Sequence, residues 1–149
     1  MMPKIIIKYF EELTTNELYQ ILRLRSEVFV VEQNCAYQDI DDKDQKALHF
    51  FLVDSDEVIG YTRLFDANDY FEDASIGRVV IQEKHRNSRL GHLLIKESIK
   101  AIKIYFHTSK ITIGAQKYLK IFYESHQFLQ IGEGYLEDGI PHIKMIYNP

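Results

Sequence analysis

Apolar residues are spaced in two ways along the chain, every second position in some stretches and every third or fourth in others, and the changes between them mark the elements. Lys4 to Phe10 reads as a first strand. Thr14-Thr15-Asn16-Glu17 follows, and its Ser/Thr-x-x-Glu spacing satisfies two free N–H groups at a helix start. Leu18, Ile21, Leu22, Val28 and Phe29 then recur as a helical stripe, with Arg25 on the same stripe. LHFFLVD and EVIGYTRLFD flank the turn-like Ser55-Asp56 and predict an antiparallel hairpin, and Ala74 to Gln82 adds a further strand-like run. From Ser88 onward, Leu90, Leu94, Ile95, Ile99, Ile102 and Phe106 mark the inner face of a helix whose Lys96, Glu97, Lys100 and Lys103 face outward. Lys110 to Ala115 returns as a strand and Lys117 to His126 as a short helix. Leu129 to Tyr135 and His142 to Tyr147 close the chain as two strands joined through EDGIP. The order is mixed α/β without an internal repeat.

Two polar features interrupt this pattern. Arg25 is either a salt-bridged arginine at the edge of the core or a fixed cation beside a site. Gln38 to Ala47, QDIDDKDQKA, reads as a solvated, acid-rich loop.

Composition narrows the class. A chain of 149 residues, 46% hydrophobic, fits one domain over 1–149 and has none of the bias of a disordered segment. The formal net charge of −4 lacks the basic footprint of a nucleic-acid binder. No run approaches the length of a membrane helix and the N-terminus has no signal-like apolar region, so the expectation is a cytoplasmic protein with no membrane partner. Cys35 is alone, which excludes an internal disulfide, and it reads as a packing residue rather than a nucleophile. His85, His92, His107 and His126 are scattered, and no metal is expected.

The segment RNSRLGHLL places a basic, Gly-containing turn between the apolar run SIGRVVIQ and a helix. A helix N-terminus offers free N–H groups and the positive end of its dipole to an anion. Gly91 permits close backbone approach, and Arg86 and Arg89 can add charge-assisted hydrogen bonds to phosphate oxygens.

These residues also resemble the pyrophosphate-binding segment of the GNAT acyltransferases, in which an Arg/Gln-x-x-Gly-x-Gly/Ala turn follows a central strand. Arg86-Asn87-Ser88-Arg89-Leu90-Gly91 matches that turn, with Arg89 where the pattern has its first glycine. LRLRSEVFVVEQNCAYQDID, IGRVVI, GAQKYLKIFYESHQF and EDGIPHIKM extend the resemblance to the ElaA-type branch over nearly the whole chain. The resemblance implies a GNAT acyl-CoA N-acyltransferase fold, a mixed central β-sheet flanked by helices. It implies that the backbone of Val79, Val80 and Ile81 pairs with the pantetheine arm of acetyl-CoA. Arg86, Asn87, Ser88, Arg89, Leu90, Gly91 and His92 would hold the pyrophosphate.

Acetyl transfer needs a deprotonated amine and a proton for the leaving thiolate. By the resemblance, Tyr123 is the proton donor to the CoA sulfur; its other reading is an aromatic packing residue beside Phe122. A phenol, with an ordinary pKa of about 10, remains protonated until it is needed. His142 and Glu32 are the two candidates for the base, the first through an imidazole and the second through a water relay. His142 has the alternative of orienting the C-terminal hairpin, and Glu32 that of pairing with Arg25. Arg25, Glu32 and Gln116 are expected on the acceptor side.

The sequence thus predicts an N-acetyltransferase that moves an acetyl group from acetyl-CoA to a primary amine by direct transfer, without a metal. Two alternatives remain: an acyl-CoA-binding regulatory protein without turnover, and a synthase of the acyl-homoserine-lactone type, which the Arg25 to Gln33 pattern also resembles. A homodimer through an exposed sheet edge is compatible with either.

Overall fold

The computed structural model describes residues 2–149. Strands β1 (Lys4–Tyr9), β2 (Leu48–Asp54), β3 (Glu57–Phe65) and β4 (Ser75–Ile81) form an antiparallel sheet in that order. β5 (Thr112–Gln116), β7 (Ile140–Tyr147) and β6 (Phe128–Glu137) form a second sheet, with β7 in the middle. One parallel bridge, Ala74 to Ile111, joins the two sheets, and the Thr112 N–H donates to the Ala74 carbonyl at 2.8 Å. Beyond that bridge β4 and β5 diverge. This splay opens a wedge between the sheets and, among the described residues, leaves one edge of β4 without a strand partner.

The elements form for the reasons their sequences suggest. Helix α1 (Thr15–Arg25) starts at the expected capping box: the Glu17 N–H donates to Thr14 Oγ1 at 3.0 Å, and the Thr14 N–H donates to Glu17 Oε1 at 2.9 Å. Ser55 and Asp56 both have positive φ, 51° and 65°, the backbone required by a tight turn between twisted strands. Helix α2 (Leu90–Phe106) begins two residues after the sequence suggests, because Glu83–Ser88 is a 3-10 turn. Lys117–Leu119 is likewise a 3-10 turn that leads into a five-residue helix, α3 (Lys120–Glu124).

Both faces of the first sheet are covered. Leu48, Phe50 and Leu52 of β2 point to one core with Leu94, Ile95 and Ile102 of α2. Phe51, between them, points to the other face, where it meets Ile21, Leu24 and Val28 under α1. The period-two alternation of β2 thus feeds two cores rather than one core and solvent.

The acid-rich loop departs from expectation. Asp39 and Asp44 are buried, not solvated. Arg25, wholly buried, donates from Nε to Asp39 and from Nη1 to Asp44, at 3.1 and 2.7 Å. Arg63 bridges Asp41 and Asp44, while Arg78 reaches Asp39 and Asp41. Three arginines from α1, β3 and β4 therefore meet three aspartates from one loop, so each buried charge has an opposite partner. The out-of-place charge on the α1 stripe has a structural explanation, and the expectation that Arg25 helps form the acceptor pocket is corrected: the side chain is sealed inside this ionic cluster.

Candidate active site

The wedge between β4 and β5 contains a groove of about 720 Å³, large enough for an extended small-molecule ligand. β4 forms one wall. Arg78 and Val79 together oppose Thr62 of β3, and Arg78 has φ 49°, so a bulge bends the strand along the groove. The ionic cluster offsets the cost of a non-glycine residue in this conformation by fixing the Arg78 guanidinium on Asp39 and Asp41. Val79, Val80 and Ile81 all line the groove.

The turn after β4 supplies the polar end. Of the seven residues from Arg86 to His92, Arg86 and Gly91 line the groove. Asn87, Ser88 and Arg89 are exposed on the turn, and the Leu90 side chain enters the core. His92 faces away toward α3, with Nδ1 2.8 Å from His126 Nε2 and its ring packed on Phe122. Those five positions can serve an anion through the helix terminus but place no side chain in the groove. A Cβ added at Gly91 would meet only Phe122, at an ordinary 3.6 Å, so folding itself does not demand glycine there. Arg89 has φ 62°, the left-handed conformation for which the family's glycine is suited, and adopts it as the residue before α2. Gln127, between α3 and β6, also has positive φ, 70°.

The same groove carries the candidate proton-transfer groups. Tyr123 of α3 lines the groove and is nearly buried. Burial, and then the neighbouring Tyr118, push its phenol above the ordinary tyrosine range. Among the described residues its hydroxyl has no hydrogen-bond partner. His142 lies on β7, opposite Gln116 of β5. Its Nδ1 is 2.7 Å from the Ile140 carbonyl, and because a carbonyl only accepts, that nitrogen carries the proton. In the neutral ring Nε2 is then the accepting nitrogen, and it lies 3.5 Å from a Glu137 carboxylate oxygen. The ring stacks on Tyr135, with centroids 5.8 Å apart.

A strap crosses the groove from Arg86 to Gln116. After α1 the chain continues as a π-helical segment, Ser26–Glu32, with wider turns than an α-helix: the Gln33 N–H donates to the Val28 carbonyl, five residues back. Glu32 accepts from Arg86 rather than Arg25, at 2.5 and 2.9 Å. Gln33 exchanges amide hydrogen bonds with Gln116 at 3.3 and 3.4 Å. Gln33, Tyr135 and Glu137 were not anticipated from the sequence. A glutamine four residues beyond the helical stripe, and a tyrosine and a glutamate on an exposed strand, carry no pattern that separates them from solvated surface. Cys35 sits at the rim, its thiol 3.5 Å from the Asp138 carbonyl.

The fold agrees with the comparisons. The acetyltransferase (GNAT) domain profile matches residues 11–148, and the chain belongs to the GNAT acetyltransferase family, whose chemistry is acyl transfer from acyl-CoA. Within the family it is similar to protein ElaA of Escherichia coli strain K12, 39% identical over 139 residues, 92% of this chain and 91% of that protein. The crystal structure of E. coli ElaA superposes with a TM-score of 0.92 at 36% identity, covering 99% of this chain and 100% of the other. An acyl-CoA N-acyltransferase from Pseudomonas aeruginosa superposes at 0.93 and 35% identity, covering 98% and 99%.

Proposed function

We propose that the protein transfers an acetyl group from acetyl-CoA directly to a primary amine. The observation that supports this reading is the wedge itself. It brings an open strand edge, an arginine beside a helix N-terminus, a protonated phenol and an accepting imidazole nitrogen to one groove. The chain's residues fit such a donor. Gly91 lacks a Cβ that folding would tolerate, and the β4 edge offers backbone hydrogen-bonding groups that no neighbouring strand uses.

Acetyl-CoA supplies an acyl group already activated as a thioester. Arg86 and the first turn of α2 bind the phosphates, while Val79, Val80 and Ile81 orient the pantetheine arm. His142 Nε2 accepts the proton of the incoming ammonium, with a Glu137 carboxylate oxygen 3.5 Å away. Glu32 already accepts two hydrogen bonds from Arg86, which favours His142 as the base. Tyr123 holds its proton toward the sulfur. Its raised pKa keeps the phenol protonated as a hydrogen-bond donor to the sulfur until the C–S bond breaks and the leaving thiolate takes the proton. Gln116 and Gln33 border the path for the acceptor.

The test is a free-thiol assay with acetyl-CoA and a panel of primary amines, with the acetylated product identified by mass. Amine-dependent thiol release together with an N-acetyl product supports the reading. CoA binding without product supports the regulatory alternative, and release of methylthioadenosine from S-adenosylmethionine supports the synthase alternative.

A further inference from the structure

Glu32 and Arg86 come from segments 54 residues apart and meet across the mouth of the wedge. Arg86 donates from Nη1 to Oε2 and from Nη2 to Oε1, the two-pronged geometry in which a guanidinium also grips a phosphate. Its Nε is occupied as well, donating to the Ile81 carbonyl at 3.0 Å. The side chain proposed to recognise phosphate is therefore engaged by an anion from the chain itself. The next residue, Gln33, is tied to Gln116 on the far wall. The last residue of the π-helical strap and the one after it thus reach opposite sides of the wedge, one through an ion pair and one through an amide pair.

We propose that Glu32 is an internal anion that competes with the phosphates of the acyl donor for Arg86, so that seating the donor exchanges one anion for the other and frees the end of the strap. The inference rests on the assignment of Arg86 to the donor's phosphates. It goes beyond that assignment by giving Glu32 a role in donor recognition. Until the donor arrives, Glu32 and Gln33 hold the strap across the groove. Once phosphate takes the guanidinium, a second carboxylate at the same fork is repelled by like charge, and Glu32 turns from a latch into a free carboxylate at the acceptor entrance. Val28, buried under α1, keeps the base of the strap in place, so the movement is confined to its last turn.

Calorimetric titration of four proteins with CoA, and with a pantetheine fragment lacking phosphates, tests the exchange. The proteins are the wild type, Glu32→Gln, Arg86→Ala and the double variant. Relieved of the competing charge, Glu32→Gln binds CoA about fivefold tighter, the scale of an exposed ion pair, and binds the fragment as the wild type does. In the Arg86→Ala background the Glu32 substitution changes nothing. Glu32→Ala supplies a second variant with the same expected direction, and far-UV circular dichroism confirms the fold of each protein. CoA affinity lost in Arg86→Ala but equal or weaker in Glu32→Gln overturns the exchange alone and makes Glu32 a prop for the arginine. CoA affinity unchanged in Arg86→Ala overturns the phosphate assignment and the exchange together.

Discussion

Arg25 and Asp44 meet inside the protein with Nη1 2.7 Å from Oδ1, and the side chains are 0% and 8% exposed. Asp44 also holds Arg63 at 3.0 Å, so one carboxylate oxygen serves two buried guanidinium groups. Asp44→Asn keeps the size and removes the charge, leaving both arginines short of a partner. The expected loss is about 3–5 kcal/mol of stability, the range for one partner removed from a buried pair. It is read as a lower urea midpoint at unchanged slope. A loss below about 1 kcal/mol would mean that the cluster relaxes around the missing charge.

The same cluster sets an acid limit. Burial raises the Asp41 carboxyl, but the hydrogen bond and charge of Arg63, then the charge of Arg78, outweigh it and hold the group at about 2. An unfolded aspartate titrates at about 3.9. The folded value is depressed, so this contribution is fully present above about pH 4 and is lost as pH falls toward about 2. Asp44 is also lowered and acts in the same direction. Stability curves measured between these limits fall more steeply for the wild type than for Asp41→Asn, which is less stable at neutral pH.

Tyr123→Phe removes a hydroxyl that has no partner among the described residues, so the fold loses little. The expected outcome is a kcat lower by about 10²-fold, the low end for a positioned proton donor, with CoA affinity unchanged. Single-turnover transfer and equilibrium binding measured on the same preparation separate the two effects. Full turnover in the variant would return Tyr123 to a packing role.

Arg89 and Gln127 hold left-handed backbone without being glycine. Arg89→Gly and Gln127→Gly each relieve that conformation and are expected to stabilise by about 1 kcal/mol, read as a higher melting temperature. Arg89→Gly also brings the phosphate turn into line with the family pattern, and its CoA affinity is expected to remain within about threefold of the wild type, since the side chain lies outside the groove.

What the sequence made legible follows physical range. Thr14 and Glu17 announce α1 because their interaction spans three residues, and Ser55-Asp56 announces the hairpin because its flanks alternate. The α2 stripe is correct in its inner face, yet it omits Ser98, which is buried because its hydroxyl pairs with Thr62 at 2.8 Å. Partners distant in sequence were not legible. Nothing local tells Asp39 and Asp44 from solvated acids; the one hint was Arg25, a charge on an apolar face that required a counter-ion. Glu32 was expected on the acceptor side, but its partner could be chosen only after folding brought Arg86 within reach and sent Arg25 inward. The bulge at Arg78 depends on strand register, which no single strand carries.

The central claim is that the acyl donor lies in the wedge along β4 with its phosphates at the turn into α2. Hydrogen exchange with and without saturating acetyl-CoA tests it most directly. The predicted result is slowed exchange in peptides covering 75–81 and 86–91, with little change in β1, β2 and the outer strand β6. Unchanged exchange in both peptides at saturation, or protection confined to another surface, would contradict it.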